Sequence, residues 1–182
     1  SEGWSWLTVP LLTGGRSDRL QLNQLEIDET SHWQKKHWST IQLNYRRSPF
    51  FREHEDFFKE TLQRPWSKLI ELQTTITTYL LGALSISTPV QFSSQMSVES
   101  RKDQLILDLC RQVHASEYIS GLFGKDYLTS EQFVEAGIQL RFHEYEHPAY
   151  RQAFPGFEPY MACIDLLFNH GPESRAILMQ NQ

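Results

Sequence analysis

Residues 117–145 change hydrophobic period twice, and that switch constrains the fold more than any other stretch of the chain. Residues 117–120 read as a strand, Ser130 caps a short helical pattern that Gly137 ends, and residues 138–145 alternate apolar and polar side chains. A further short strand is predicted over residues 90–92. It precedes a helix capped by Ser97, whose Leu105, Leu109 and Val113 point one way. A strand that returns parallel to its neighbour needs a helical crossover, so this β-α-β-α-β order predicts an α/β class with a largely parallel sheet.

The rest of the chain surrounds that unit with helices. Residues 4–9 and 23–28 alternate like strands, either side of a Gly14–Gly15 turn. An additional helical block is predicted over residues 31–84. After a Thr30–Ser31 cap, Trp33, His37, Ile41 and Tyr45 recur at four-residue spacing with Trp38 alongside, until Ser48–Pro49 stops the helix. A second helix lies around residues 51–62. Pro65 is placed to open a third, with Leu69, Leu72, Ile76, Leu80 and Leu84 as its buried stripe. Pro159 is placed to start another helix, and Gly171–Pro172 separates it from a last one. No composition break or repeat divides the sequence, so residues 1–182 are expected to form a single domain.

Bulk properties narrow the function. A net charge of −5 and a pI near 5.8 oppose generic nucleic-acid binding. The longest apolar windows fall well short of the ~20 residues that a membrane-spanning helix needs. Cys110 and Cys163 both sit in apolar helix-like runs, which suits inert thiols in a reducing cytoplasm.

Three constellations could carry chemistry. In Ser120-Gly-Leu-Phe-Gly-Lys-Asp-Tyr-Leu128, Gly121 and Gly124 permit close backbone approach or positive φ, and Lys125 offers a point charge to an anion. The spacing does not match a Walker A loop, and a plain strand-to-helix connection with a solvated lysine is the alternative. The loop follows a predicted parallel strand, the place where α/β sheets build ligand sites. His143-Glu-Tyr-Glu-His147 copies the letters of a zinc-protease motif, but Pro148 disfavours helix at His147 and the upstream alternation is that of a strand, so no metal is predicted there. His147 remains open as a general acid or base, or as a structural histidine. Asp165 falls beside the buried stripe of its helix and either meets partners in a site or lies at a wet margin. Trp33, Trp38, Phe50, Phe51, Phe57 and Phe58 read most simply as core, and no Ser-His-Asp or Cys-His signature stands out locally.

Several separated motifs in order resemble the WbqC-like family of bacterial proteins: Gly3-Trp-Ser-Trp-Leu-Thr-Val-Pro10, Ile27-Asp28 with Trp33-Gln-Lys-Lys-His37, and Tyr118 to Leu128. Tyr145-Glu-His-Pro-Ala-Tyr-Arg-Gln152 and the run from Phe157 through Asp165 to Gly171 complete the set. The resemblance implies an enzyme of surface-polysaccharide biosynthesis, plausibly a transferase moving an acyl or aminoacyl group onto a nucleotide- or lipid-linked sugar. An activated sugar or acyl donor is the expected partner, and the resemblance implies no particular cofactor. Members of that family typically carry a strand and a His-Gln-Pro-type loop ahead of the segment matching Gly3, so this chain is expected to lack that segment. The resemblance favours Ser120, Gly121, Gly124 and Tyr127, with Tyr150 and Gln152, as substrate-binding residues, and His147, Asp165 and Lys125 as catalytic ones. A non-catalytic sugar-nucleotide or protein-binding module is the rival reading.

Overall fold

A computed structural model describes residues 3–14 and 20–180. The expected turn at Gly14–Gly15 falls partly outside these residues. Contacts group the chain into two compact units, one made of Ser1–Ser87 with His147–Gln182, the other of Thr88–Glu146.

The first unit is built on the helical block. Helices α1 (Trp33–Tyr45), α2 (Phe51–Gln63) and α3 (Leu69–Ala83) occupy residues 31–84 as expected, and α6 (Cys163–His170) packs against α2. Strong amphipathicity makes α2: Phe51, Phe58 and Leu62 are buried, while Arg52, Glu53, Glu55 and Lys59 share the opposite face or its margins. Phe168 of α6 is the hub, with its ring edge-on to Tyr45, Phe51 and Phe58 at 5.2–5.4 Å. Such a fully buried aromatic contributes on the order of 2–3 kcal/mol. Gly171 ends α6 at φ +50, and a Cβ there would lie 2.4 Å from the Phe50 ring, so only glycine lets the chain turn at this point.

Several boundaries differ from expectation, each for a tertiary reason. Pro65 does not open α3. Residues after it run extended because their backbone pairs with residues 25–27: Ile27 N donates to Ser67 O and Leu69 N to Leu25 O, both at 3.0 Å. Trp66 is thereby buried, and its indole donates to Thr61 O at 2.7 Å. The strands expected at residues 4–9 and 23–28 reduce to isolated antiparallel bridges, Leu11 with Ile27 and Glu26 with Lys68, and residues 22–24 form a 3-10 turn instead. Leu7, Val9 and Leu11 supply the inward face, leaving Trp4 and Trp6 exposed. His37 holds this extended segment through a 3.1 Å bond between its Nε2 and Thr8 O. Thr30–Ser31 do not cap α1. They belong to a 3-10 turn over Glu29–Ser31, which Asp28 caps by accepting from Thr30 N at 2.9 Å, while His32 at φ 51 holds the N-cap position of α1 without a side-chain bond.

In the second unit, α4 (Lys102–Gln112) leads to β1 (Glu117–Gly121), α5 (Ser130–Glu135) and β2 (Gln139–His143). β1 and β2 pair in parallel, from Glu117 with Gln139 to Gly121 with His143. The α/β class therefore stands, with a parallel sheet of two strands. The strand expected at residues 90–92 is missing, since Val90 is exposed and has nothing to pair with among the described residues. Buried Leu107 and Cys110, rather than Leu105, Leu109 and Val113, carry the inward face of α4, and the helix begins at Lys102 with no side-chain cap. They pack with Leu128, Phe133 and Ile138. Gly137 at φ +71 closes the α5 segment as the sequence predicts, although Thr129, not Ser130, holds the cap position. Downstream, α6 starts at Cys163 rather than Pro159, and α7 (Ser174–Leu178) follows Gly171–Pro172.

Candidate functional site

Burial of Leu166, Leu167 and Phe168 fixes the phase of α6 and carries Asp165 inward with them; its side chain is 4% exposed. A carboxylate so placed requires donors. The segment following His147 folds back to provide them. Tyr150 donates its hydroxyl to Asp165 Oδ2 at 3.0 Å, and Gln152 donates Nε2 to the same oxygen at 3.1 Å. Tyr45, at the end of α1, also feels the charge of this carboxylate. The donors are a phenol and an amide, so the charge is met by neutral groups.

Gln152 has a second task. Its Nε2 donates to Glu158 O and its Oε1 accepts from Glu158 N, both at 2.8 Å, which clamps the loop between them. His170, at the end of α6, anchors the same segment through Nε2 to Arg151 O at 2.9 Å. Burial, then the charge of Asp165 and, for Tyr150, the bond to it, push the Tyr45 and Tyr150 phenols far above their ordinary value. Both stay protonated at any physiological pH, and Tyr150 acts as a donor. Burial likewise raises the Cys163 and Cys110 thiols, which are free and inert at neutral pH.

His147 stands beside this nest. Its Nδ1 donates to Pro148 O at 2.9 Å, a bond that places the proton on Nδ1 and leaves Nε2 as the basic nitrogen. The ring lies 5.9 Å from Tyr150, 5.8 Å from Phe157 and 5.0 Å from Tyr160. The chain from Glu144 to Tyr150 is not helical, so the His143-to-His147 run has no shared helix face for a metal.

In the Thr88–Glu146 unit, the glycine loop leaves the carboxyl end of β1 and forms a 3-10 turn over Leu122–Asp126. Neither Gly121 nor Gly124 has positive φ. Gly124 is required for close approach, yet what approaches is the chain itself: a Cβ there would sit 2.0 Å from Ser120 Oγ and 3.1 Å from Leu128 Cδ1. Gly121 faces open space. The buried Ser120 hydroxyl donates to Gly121 O at 3.2 Å, and Tyr127 is half exposed. Lys125 Nζ bonds Glu144 Oε1 at 2.7 Å, and that ammonium holds the Glu144 carboxyl below its ordinary value.

The structure thus brings Asp165, Tyr150, Gln152 and His147 together in one unit, and Ser120, Gly121, Gly124, Lys125 and Tyr127 in one loop of the other. Sequence reasoning missed Tyr45, Glu158 and His170. Tyr45 was legible only as the last member of a buried helix face; that a buried acid needs phenolic or amide donors was the available signal.

Comparison with known proteins places the chain. It is 31% identical over 176 residues to a protein of Mycobacterium tuberculosis (strain ATCC 25618 / H37Rv) named uncharacterized protein Rv1507c, covering 96% of this chain and 75% of that one. No solved structure matches it. A family model matches residues 1–177, almost end to end and through every residue of the Asp165 nest. The chain belongs to the WbqC-like protein family.

Proposed function

We propose that this protein is a bacterial surface-polysaccharide enzyme that transfers an acyl or aminoacyl group to a nucleotide- or lipid-linked sugar. The observation that carries the reading is the buried Asp165 carboxylate gathering Tyr150 and Gln152 beside the histidine at position 147. Asp165 acts as a positioning residue, since its Oδ2 holds the Tyr150 and Gln152 donors. Family membership supports the polysaccharide setting, and the histidine supplies an imidazole able to accept and return a proton.

In this mechanism a sugar hydroxyl or amine attacks the acyl carbonyl, forming the new ester or amide bond as the bond to the leaving group breaks. His147 Nε2 takes the proton from the nucleophile and returns it to the departing group. Tyr150, kept protonated, donates to substrate oxygen when it exchanges its bond to Asp165. The Gly121–Lys125 loop is proposed as an anion-binding element, one that requires the Lys125–Glu144 pair to open.

The exposure of Trp4, Trp6 and Phe123, at 56%, 81% and 81%, favours a second reading as a non-catalytic binding module. A thermal-shift screen against nucleotide-sugars, sugar phosphates and a glycyl thioester separates the two. A donor that binds only the native state raises the melting temperature, and product forms from that donor in the parent but not in His147→Gln. Binding without product in the parent protein supports the module; no shift with any of these compounds removes the enzyme reading.

A further inference from the structure

Tyr160 occupies a conformation that its chemistry opposes. It sits at φ 60, left-handed space that is a genuine outlier for a bulky residue. Pro159 and Tyr160 form the centre of a turn, and proline followed by positive φ is the type II arrangement, whose second central seat suits glycine or asparagine. A tyrosine fills that seat. Its side chain is 77% exposed, so core packing does not compensate for the strain. Strain of this kind persists where the surroundings enforce it, and it clusters at ligand clamps.

The surroundings do enforce it. Glu158, two residues earlier, is held at both its N–H and its C=O by the Gln152 amide, which is itself bonded to Asp165. From this clamped segment Phe157 and Tyr160 both project toward His147, at 5.8 Å and 5.0 Å between ring centroids. Phe157 also packs edge-on against Tyr150, at 5.5 Å. Two exposed rings are therefore fixed, through one amide, to the carboxylate that organises the candidate site.

We propose that Tyr160, with Phe157 and the His147 ring, forms the stacking wall of a saccharide subsite beside Tyr150 and Gln152. The inference rests on the sugar chemistry proposed above and goes further by naming the residues that hold the ring. A pyranose has an apolar C–H face for an aromatic wall and hydroxyl donors for the acceptors next to it. The nearby charges of Asp165 and Glu158 are negative, so a neutral ring fits this surface better than an anion does.

The experiment uses methyl glycosides of glucose, galactose and N-acetylglucosamine, with UDP as the sugar-free arm, on the whole chain. Saturation-transfer NMR is expected to mark sugar ring protons in the parent and in Tyr160→Phe. Tyr160→Ala and Tyr160→Gly are expected to weaken binding by about 5- to 100-fold, the range for losing one aromatic stacking partner. Tyr160→Gly is further expected to melt at or above the parent temperature, because glycine relieves the positive φ; a tyrosine with only a structural role would make it melt lower. The proposal is overturned if no glycoside binds the parent, if Tyr160→Ala binds as well as the parent, if Tyr160→Gly lowers the melting temperature, or if UDP alone depends on Tyr160. Undiminished acyl transfer in Tyr160→Ala would sink the subsite and leave the enzyme reading intact. Tyr160-dependent glycoside binding without any transfer would do the reverse.

Discussion

Replacing Asp165 with asparagine keeps the shape of the side chain and removes its charge, which isolates what the carboxylate does. Its Oδ2 accepts from Tyr150 at 3.0 Å and from Gln152 at 3.1 Å. Hydrogen bonds to a charged group contribute ~1.5–3 kcal/mol and neutral ones ~0.5–1.5, so discharging the acceptor loses about 1–1.5 per bond. The two bonds together predict a loss of ~2–3 kcal/mol. The opposing effect is the desolvation cost of a buried carboxylate, which asparagine relieves; two donors on a single oxygen argue that the bonds prevail. With a urea slope of ~2 kcal/mol per molar, the unfolding midpoint falls by about 1–1.5 M. Tryptophan fluorescence reads this locally, because Trp4, Trp6, Trp33, Trp38 and Trp66 are the only tryptophans and all belong to the unit that contains Asp165. Tyr150→Phe should cost less in the Asp165→Asn background than in the parent, by ~1 kcal/mol of coupling. A midpoint within ~0.3 M of the parent, a rise in stability, or strict additivity of the two changes would refute the positioning role.

Gly124→Ala should destabilise the Thr88–Glu146 unit by ~1–3 kcal/mol, since its methyl would collide with Ser120 and Leu128, whereas Gly121→Ala should be nearly neutral because its methyl would meet nothing. Hydrogen exchange in β1 and β2 checks both, and equal effects at the two glycines would contradict the packing described. His37 and His54 are both held below the ordinary histidine value, chiefly by burial. Their folded pKa values are depressed, so the unfolded chain binds more protons in acid, and the stability they contribute is present above about pH 6.5 and lost as pH falls below it. The double variant His37→Gln, His54→Gln should flatten that acid loss in urea titrations at pH 7 and pH 5; an unchanged slope would contradict it.

The sequence was most legible where one segment decides its own structure. The β1–α5–β2 crossover could be read because alternation, a helical interval and Gly137 at positive φ all agree over a few residues. The aromatic face of α1 was legible for the same reason. Pro65 misled because the backbone beyond it is claimed by residues 25–27, a pairing that no local pattern records. Residues 90–92 look like a strand and find no neighbour to pair with. At the site, Asp165, Tyr150, Gln152 and His147 were singled out from the sequence, but their linkage was not. It depends on a loop folding back onto α6 and on Tyr45 reaching in from the far end of α1. Tyr160 was invisible because Pro159 reads as the start of a helix, and only the backbone shows that it opens a turn instead.

The unit bearing Asp165 is assembled from two stretches of chain with another compact unit spelled out between them. On a ribosome adding ~5–20 residues per second, Phe51 and Phe58 emerge on the order of ten seconds before Phe168, the ring that covers them. During that interval the nascent protein displays a greasy, half-built surface. Birth of this protein is therefore a race between the arrival of one phenylalanine and the clumping of unfinished chains.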